Sequence, residues 1–306
     1  MRRVGYARNG GPEVLEPESV DVPTPGPGQL LVRVDAIGVT LPVVRRVREA
    51  AQPGPLGGEI AGEVVAVGEG VTDCMPGYRV TGPCFGHAYA EYALLDESMA
   101  STIPDGASAV DAVALVRGGL VALGALDAAK PESGDSALIT AAASGVGHLA
   151  VQLARIRGAK RVTAAVSDLS KTDFLTDLGV DDVVTYDAPT WGDPVDFALD
   201  AVGGDLLTQA LAALAPGGRL VTLGSGGGTI HADDLADAKS VTGFQIARIA
   251  REDPETYDHW RQELWQYVAS GQLRPAVHAE FALDDAAAAH AVIEARANLG
   301  KVVLIP

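Results

Sequence analysis

The sequence predicts an α/β protein in which a doubly wound parallel sheet is combined with a second, β-rich domain. Between about residues 110 and 250, buried strand patterns alternate with helix patterns, as in "SALITAA" followed by an amphipathic helix at 145–157. The first hundred residues instead contain short β-branched runs separated by clusters such as "PTPGPG". Because strands joined through helices form parallel sheets covered on both faces, the central region has the pattern of a nucleotide-binding domain.

The β-rich domain is predicted to be discontinuous in sequence. Its first part contains the strand patterns "QLLVRVDAIGV" (29–39), "GEIAGEVVAVG" (58–68) and "YAEYALL" (89–95). After about residue 250, a helix, a short strand, another helix and "GKVVLIP" do not extend the alternation, so we expect them to return to the first domain. The predicted domains are therefore 1–112 with 251–306, and 113–250, with a cleft between them.

Composition excludes several classes of partner. The chain has 306 residues, and its net charge of −17 argues against nucleic acid and anionic membrane surfaces. No secretory signal and no uninterrupted apolar run of membrane-spanning length is found, so we expect a cytoplasmic protein without a membrane partner. Cys74 and Cys84 form no CxxC motif, and two free thiols are expected rather than a disulfide.

The stretch "AAASGVG" (141–147) lies between a predicted buried strand and a predicted helix, where a dinucleotide-binding turn would stand. Ala142 and Ser144 occupy two positions at which glycine is expected, so a purely structural turn remains an alternative. Ala142 allows a tight turn if its φ is negative, and the Ser144 hydroxyl can donate to a phosphate oxygen or cap the helix. The predicted pyrophosphate contacts are Ser144, Gly145, Val146 and Gly147.

Several motifs in this order resemble the quinone oxidoreductase and enoyl reductase branch of the medium-chain dehydrogenase/reductase superfamily. They are "LGGEIAGEVVAVGEGV", "AAASGVGHLAVQLA", "DFALDAVGG", "LAPGGRLVTLG" and "GKVVLIP". The resemblance implies a Rossmann-type cofactor domain and a GroES-like catalytic domain. It also implies hydride transfer to a quinone or to an alkene conjugated to a carbonyl. Zinc-dependent relatives have Gly-His-Glu where this chain has Gly57-Gly58-Glu59, and a cysteine near Gly38–Thr40, so no zinc is expected.

The resemblance also implies how the nicotinamide cofactor is bound. The second strand ends on Val166-Ser167, as in NADPH users, with Ser167, Lys171 and Tyr186 at the 2′-phosphate. Asp168 could instead bind the ribose of NADH, so NADPH is favoured and NADH remains possible. The residues that would lie near the nicotinamide are Val202, Gly203, Leu223, Gly224, Ser225 and Asn298.

The sequence points to fewer residues for binding the substrate than for binding the cofactor. Enoyl reductases of polyketide assembly often have a tyrosine proton donor where this chain has Leu41, preceded here by Thr40. Thr40 and Arg117 are the candidate catalytic residues. Thr40 would donate a hydrogen bond to a substrate carbonyl, and Arg117 would bind an anion or a carbonyl of the substrate. A tailoring enzyme acting on a polyketide-like intermediate and a non-enzymatic cofactor-binding protein remain alternatives.

Relatives commonly form homodimers through an edge strand, which "SVTGFQIARI" (240–249) could supply.

Overall fold

Two units make up the computed structural model, which describes residues 1–223 and 226–306. The β-rich unit comprises Met1–Arg117 and Ala276–Pro306, and the parallel-sheet unit comprises Gly118–Pro275. The strands are β1 (Arg2–Gly5), β2 (Glu16–Ser19), β3 (Gln29–Val39), β4 (Gly58–Val67), β5 (Arg79–Cys84), β6 (Tyr92–Asp96), β7 (Ser101–Thr102), β8 (Ser136–Thr140), β9 (Arg161–Val166), β10 (Asp182–Thr185), β11 (Val195–Asp200), β12 (Leu214–Thr222), β13 (Ser240–Gly243), β14 (Val277–Ala282) and β15 (Lys301–Ile305). The α-helices are α1 (Leu41–Glu49), α2 (Ala109–Ala129), α3 (Gly147–Ile156), α4 (Thr172–Asp177), α5 (Leu206–Ala212), α6 (Ile246–Glu252), α7 (Pro254–Ala269) and α8 (Ala286–Glu294).

The β-rich unit is built around one mixed sheet with the strand order β14-β15-β3-β4-β5-β7, and β6 also pairs with β3. Strand β3 coincides with the predicted run 29–39. It is bordered on one edge by β15, with Val302 opposite Val39, and on the other by β4, with Glu59 opposite Gly38. The last strand of the chain therefore belongs to the same sheet as β3 and β4.

The parallel-sheet unit contains six parallel strands in the order β10-β9-β8-β11-β12-β13. Every residue of β8 is buried, because both faces of the sheet are covered. The order reverses between β8 and β11, which is the switch point at which open α/β sheets bind ligands. The predicted fold class, α/β with a Rossmann-type sheet and a GroES-like β-rich domain, is confirmed.

The unit boundaries fall after Arg117 and Pro275 rather than at the predicted positions 112/113 and 250/251. Residues 251–275 thus lie with the parallel-sheet unit, because α7 packs on the second half of α2. A Cβ atom at Gly124 would come within 2.9 Å of the Trp260 ring, and the Trp260 indole donates to Asp127 at 2.8 Å. The sequence pattern could not show which neighbour covers the apolar face of α7.

The predicted strand over 240–249 is wrong beyond Gly243, where β13 ends and helix α6 begins three residues later. The reason is the spacing of its apolar residues. Ile246, Ile249 and Ala250 recur at i, i+3 and i+4, which places them on one face of a helix and not on one face of a strand.

Helix α2 is long and apolar enough to span a membrane, since an 18-residue window in it has a mean hydropathy of 1.8. Of that window, 72% is buried inside the protein. A core helix is typically buried to this extent. The length and composition of a helix are by themselves weak evidence that it spans a membrane. No other membrane-span candidate occurs among residues 1–223 and 226–306.

Candidate functional site

The glycine turn connects β8 to α3 and has no space for a side chain at its last position. A Cβ atom at Gly147 would lie 2.1 Å from the Ala141 carbonyl oxygen and 2.7 Å from the Ala142 Cα atom. The positive φ of the turn is at Ala141, at 49°, and not at Ala142, so the missing glycine at 142 is tolerated. Helix α2 packs closely against the glycine turn, since a Cβ atom at Gly118 would lie 2.6 Å from the Gly145 carbonyl oxygen.

Ser144 caps the start of α3. Its hydroxyl oxygen accepts a hydrogen bond of 3.0 Å from the Gly147 N–H, which leaves the hydroxyl hydrogen to be donated. Ser144, Gly145 and Val146 are partly exposed at this end of the helix. Within the described residues the N–H groups of Gly145 and Val146 form no hydrogen bond, and they stand at the positive end of the α3 dipole, an arrangement suited to a phosphate.

His148 holds the turn from inside the protein. It is fully buried, and burial lowers its pKa to about 4, so the ring is neutral near pH 7. Its Nδ1 atom lies 2.8 Å from the Ser144 carbonyl oxygen and must carry the hydrogen, since a carbonyl only accepts. The sequence analysis did not single out His148, and the only available signal was its position one residue after the glycine motif.

A buried polar pair joins the ends of β8 and β11 at the switch point. The Thr140 hydroxyl donates to the Asp200 carboxylate at 2.8 Å, and that carboxylate also accepts from the N–H groups of Val202 at 3.2 Å and Gly203 at 2.9 Å. Asp200 is 1% exposed. These bonds fix the residues after β11 beside the glycine turn, so Val202 lies at the predicted edge of the sheet.

The end of β12 reaches the same edge. The Leu223 N–H donates to the Asp200 carbonyl oxygen at 2.8 Å, which places Leu223 beside the residues after β11. Gly203 has a positive φ of 73°, and a Cβ atom there would lie 2.7 Å from the Gly227 carbonyl oxygen. Gly224 and Ser225, both predicted to lie near the nicotinamide, are outside the described residues.

The three residues predicted at the 2′-phosphate meet at the ends of β9 and β10. The Lys171 ammonium donates to the Ser167 hydroxyl at 3.2 Å, and the Tyr186 N–H donates to the Val166 carbonyl oxygen at 2.9 Å. The Tyr186 hydroxyl accepts from the Ala141 N–H at 3.1 Å, so the tyrosine also contacts the glycine turn. The Ser167–Lys171 pair and the Tyr186 main chain thus lie at the ends of the neighbouring strands β9 and β10, and the Tyr186 hydroxyl lies at the glycine turn.

Asp168, the alternative ribose ligand, bonds within its own turn. Its carboxylate accepts from the Ser170 N–H at 2.7 Å, and hydrogen bonding to Ser170 holds the pKa of Asp168 below its ordinary value. This bond caps the short 3₁₀ turn Leu169–Lys171, which carries Lys171. The carboxylate therefore supports the turn that presents the lysine.

The remaining predicted residues, Thr40, Arg117 and Asn298, belong to the β-rich unit. Thr40 is 6% exposed and precedes α1, but its hydroxyl does not cap that helix. Arg117 is half-buried in α2. The Asn298 amide donates to the Gly300 carbonyl oxygen at 2.8 Å in the turn before β15.

Comparisons with known proteins agree with this geometry. Residues 26–105 match the alcohol dehydrogenase GroES-like domain family, and residues 178–304 match a family described as zinc-binding dehydrogenase. A quinone oxidoreductase of Pseudomonas aeruginosa is 32% identical over 100% of this chain and 99% of its own length. The chain belongs to the quinone oxidoreductase branch of the medium-chain dehydrogenase/reductase superfamily. The resemblance stated from the sequence is thereby confirmed, and with it the membership of an oxidoreductase enzyme family.

Two further relatives of this medium-chain dehydrogenase/reductase have a named substrate or a bound cofactor. A 2-haloacrylate reductase of Burkholderia sp is 32% identical over 98% of this chain and 97% of its own length. A mycobacterial protein solved in complex with NADPH superposes with a TM-score of 0.92 at 30% identity, covering 100% of both chains.

The residues of this chain do not fit the zinc ion that one family description implies. At Gly38, a Cβ atom would lie 2.5 Å from both Glu59 Cγ and Lys301 Cε, so a cysteine has no space there. At Gly58, φ is 151° and a Cβ atom would lie 2.8 Å from the Gly38 carbonyl oxygen, which disfavours a histidine. Among the described residues, no group of three or more His, Cys, Asp or Glu side chains could hold a metal ion.

Proposed function

We propose that the protein is a cytoplasmic, zinc-independent oxidoreductase that uses NADPH to reduce a small molecule, either a quinone or an alkene conjugated to a carbonyl. The bound cofactor would supply the hydride. The observation that carries the proposal is the position of the glycine turn after β8 and of the Ser167–Lys171 pair after the neighbouring strand β9. The NADPH-bound structural relative and the 2-haloacrylate reductase relative support the cofactor and the activated-alkene substrate.

Each group in this arrangement has a separate task. The main-chain N–H groups of Gly145 and Val146 and the Ser144 hydroxyl would bind the pyrophosphate, and Gly147, whose N–H donates to that hydroxyl, would keep the turn tight. Lys171 would supply the charge that the additional phosphate of NADPH needs, and the hydroxyls of Ser167 and Tyr186 would donate hydrogen bonds to it.

We expect NADPH to bind more tightly than NADH. Titration of the purified protein with each cofactor, followed by nicotinamide fluorescence and tryptophan quenching, measures both dissociation constants. Oxidation of the bound NADPH by simple quinones and enones then tests turnover. Preference for NADH would indicate that Asp168 binds the ribose, and failure of both cofactors to bind would contradict the proposed function.

Lys171→Ala is expected to weaken NADPH binding about tenfold or more, because a charge-assisted hydrogen bond contributes roughly 1.5–3 kcal/mol. NADH binding should change little, since NADH lacks the 2′-phosphate. Lys160→Ala is the matched control, because Lys160 is exposed and precedes β9 at the opposite edge of the sheet. An equal loss of NADPH and NADH affinity in Lys171→Ala would contradict the role assigned to Lys171.

We also propose a homodimer formed through β13, which is the last strand of the parallel sheet on that side. An edge strand presents unpaired N–H and C=O groups that a second copy can satisfy. Sedimentation velocity is expected to give about twice the chain mass of 31.4 kDa. A monomer over the whole concentration range would contradict the dimer without affecting the proposed cofactor.

A further inference from the structure

The glycine turn after β8 contains a backbone conformation that its sequence does not favour. Ala141 has a φ of 49°, in the left-handed region that glycine adopts readily and that other residues avoid. The turn is built on this conformation, because the Ala141 carbonyl oxygen accepts from the Ser144 N–H at 2.9 Å and closes the space beside Gly147. An unfavourable φ persists only where surrounding contacts enforce it. Some contact must therefore hold Ala141 in place.

That contact comes from Tyr186, which is 45 residues further along the chain. Its hydroxyl oxygen accepts from the Ala141 N–H at 3.1 Å. The sheet order is β10-β9-β8, and Tyr186 follows β10 whereas Ala141 follows β8, so the tyrosine side chain reaches past the end of β9. The N–H group and the carbonyl oxygen of Ala141 are then both bonded, which fixes the two peptide groups that flank its Cα atom. These two bonds hold the φ and ψ angles of Ala141.

Tyr186 is itself held by its main chain and by the packing of its ring. Its N–H donates to the Val166 carbonyl oxygen at 2.9 Å, which ties it to the end of β9. Its ring packs against Trp191, with 6.4 Å between the ring centroids, and Trp191 is 2% exposed within the buried apolar cluster of this unit. A side chain that is already ordered loses little further freedom when its hydroxyl forms a bond. The hydroxyl is therefore a fixed acceptor for the Ala141 N–H.

We propose that Tyr186 is a positioning residue of the glycine turn, and that its hydroxyl holds Ala141 in the left-handed conformation that pyrophosphate binding requires. This inference rests on the proposed function and deepens it. The sequence analysis assigned Tyr186 to the 2′-phosphate, which only NADPH has. The bond to Ala141 makes the tyrosine important for NADH as well, because both cofactors contain the pyrophosphate.

The positioning role is compatible with a hydrogen bond to the 2′-phosphate. A phenol hydroxyl both donates and accepts, so the oxygen that accepts from Ala141 can donate its own hydrogen to a phosphate. Lys171, whose ammonium donates to the Ser167 hydroxyl, would act on the additional phosphate of NADPH alone. Substitutions of Tyr186 and Lys171 are therefore expected to differ in their effect on NADH.

Tyr186→Phe tests the role of the hydroxyl while the ring and its packing against Trp191 remain. The Ala141 N–H loses its acceptor, and its unfavourable φ is no longer enforced. The N–H groups of Gly145 and Val146 belong to the same turn and would be misplaced with it. We expect the affinity for NADH to fall about tenfold and that for NADPH to fall at least as much, measured by fluorescence titration.

The matched control is Tyr257→Phe, because Tyr257 is a buried tyrosine of the same unit and lies in α7. It should bind both cofactors like the wild type, and thermal unfolding shows whether each variant folds. Unchanged NADH affinity in a folded Tyr186→Phe protein would overturn the inference and leave the proposed function intact. Wild-type protein that bound neither cofactor would overturn both.

Rescue by glycine separates positioning of the turn from direct contact with the cofactor. Ala141→Gly places at the turn a residue that adopts a φ of 49° without a Cβ penalty, so the turn depends less on the Tyr186 hydroxyl. In the Ala141→Gly background, Tyr186→Phe should therefore lower NADH affinity only about threefold or less, against about tenfold in the Ala141 background. Equal losses in the two backgrounds would mean that Tyr186 acts independently of Ala141, which would overturn the inference.

Hydrogen exchange of the Ala141 amide tests the bond without any cofactor. Thr-Ala dipeptides occur in the sequence at Thr140-Ala141 and Thr163-Ala164, so isotope labelling of the threonine carbonyl carbon and the alanine nitrogen selects these amides by NMR. Ala164 lies within β9, between β8 and β10, and is the internal reference. Tyr186→Phe should accelerate exchange at Ala141 about tenfold and leave Ala164 unchanged. Exchange of Ala141 at the wild-type rate would show that Tyr186 does not hold the turn.

Discussion

Gly147→Ala is expected to weaken NADPH binding at least about 100-fold, which corresponds to roughly 2.7 kcal/mol. The added Cβ atom would lie 2.1 Å from the Ala141 carbonyl oxygen and 2.7 Å from the Ala142 Cα atom. Both contacts are backbone atoms, so no side chain can move aside and the turn itself must shift. Because the turn presents the N–H groups that would bind the pyrophosphate, a shift of about 1 Å is enough to misplace them. Fluorescence titration with NADPH and with NADH measures the loss.

The two cofactors should lose affinity in parallel, since both have the pyrophosphate. Gly243→Ala is the control for a general effect of replacing glycine, because a Cβ atom at Gly243 has no atom within 4 Å. Thermal unfolding of Gly147→Ala shows whether the parallel-sheet unit still folds. A folded Gly147→Ala protein with wild-type affinity would mean that the turn does not bind the pyrophosphate.

The alternating pattern of the sequence predicted the parallel sheet well because its strands are buried on both faces. Apolar runs such as "ALI" (137–139) and "FAL" (197–199) can be recognised without knowledge of their neighbours, and the order along the chain fits one doubly wound topology. Prediction was poorer at the surface. The run 240–249 begins as a strand, but the spacing of Ile246, Ile249 and Ala250 is helical, and α6 packs against α7 after Gly243.

The parts of the candidate site that consist of residues close together in the sequence could be predicted from it. The glycine turn and the Ser167–Lys171 pair are local features, and the structure brings each set together. Pairs that join distant strands were not foreseen. Thr140 and Asp200 are 60 residues apart, and the partnership of Glu59 with Lys301 depends on a register between strands from opposite ends of the chain. A sequence pattern marks such residues only as polar positions within apolar runs.

The buried histidines of the two units are expected to make the protein lose stability as pH falls from about 6.5 towards 4. Burial lowers the pKa of both His148 and His290 to about 4, whereas unfolded histidine titrates near 6.5. Below pH 6.5 the unfolded chain therefore binds more protons, and each histidine costs the folded state roughly 3 kcal/mol by pH 4. Together they remove roughly 6 kcal/mol, a large part of the ~5–15 kcal/mol that stabilises a typical domain.

Each histidine can be tested separately because the two lie in different units. His290 Nε2 lies 2.9 Å from the hydroxyl of the buried Tyr89, so Tyr89→Phe with His290→Leu removes the titrating ring without leaving an unpaired partner. His148→Gln keeps a neutral donor near the Ser144 carbonyl. Thermal unfolding between pH 7.5 and 5 should show about half of the wild-type loss in each variant, and His259→Gln, at an exposed position, should behave as the wild type. An unchanged pH dependence in both variants would mean that carboxylates, and not these rings, cause the acid instability.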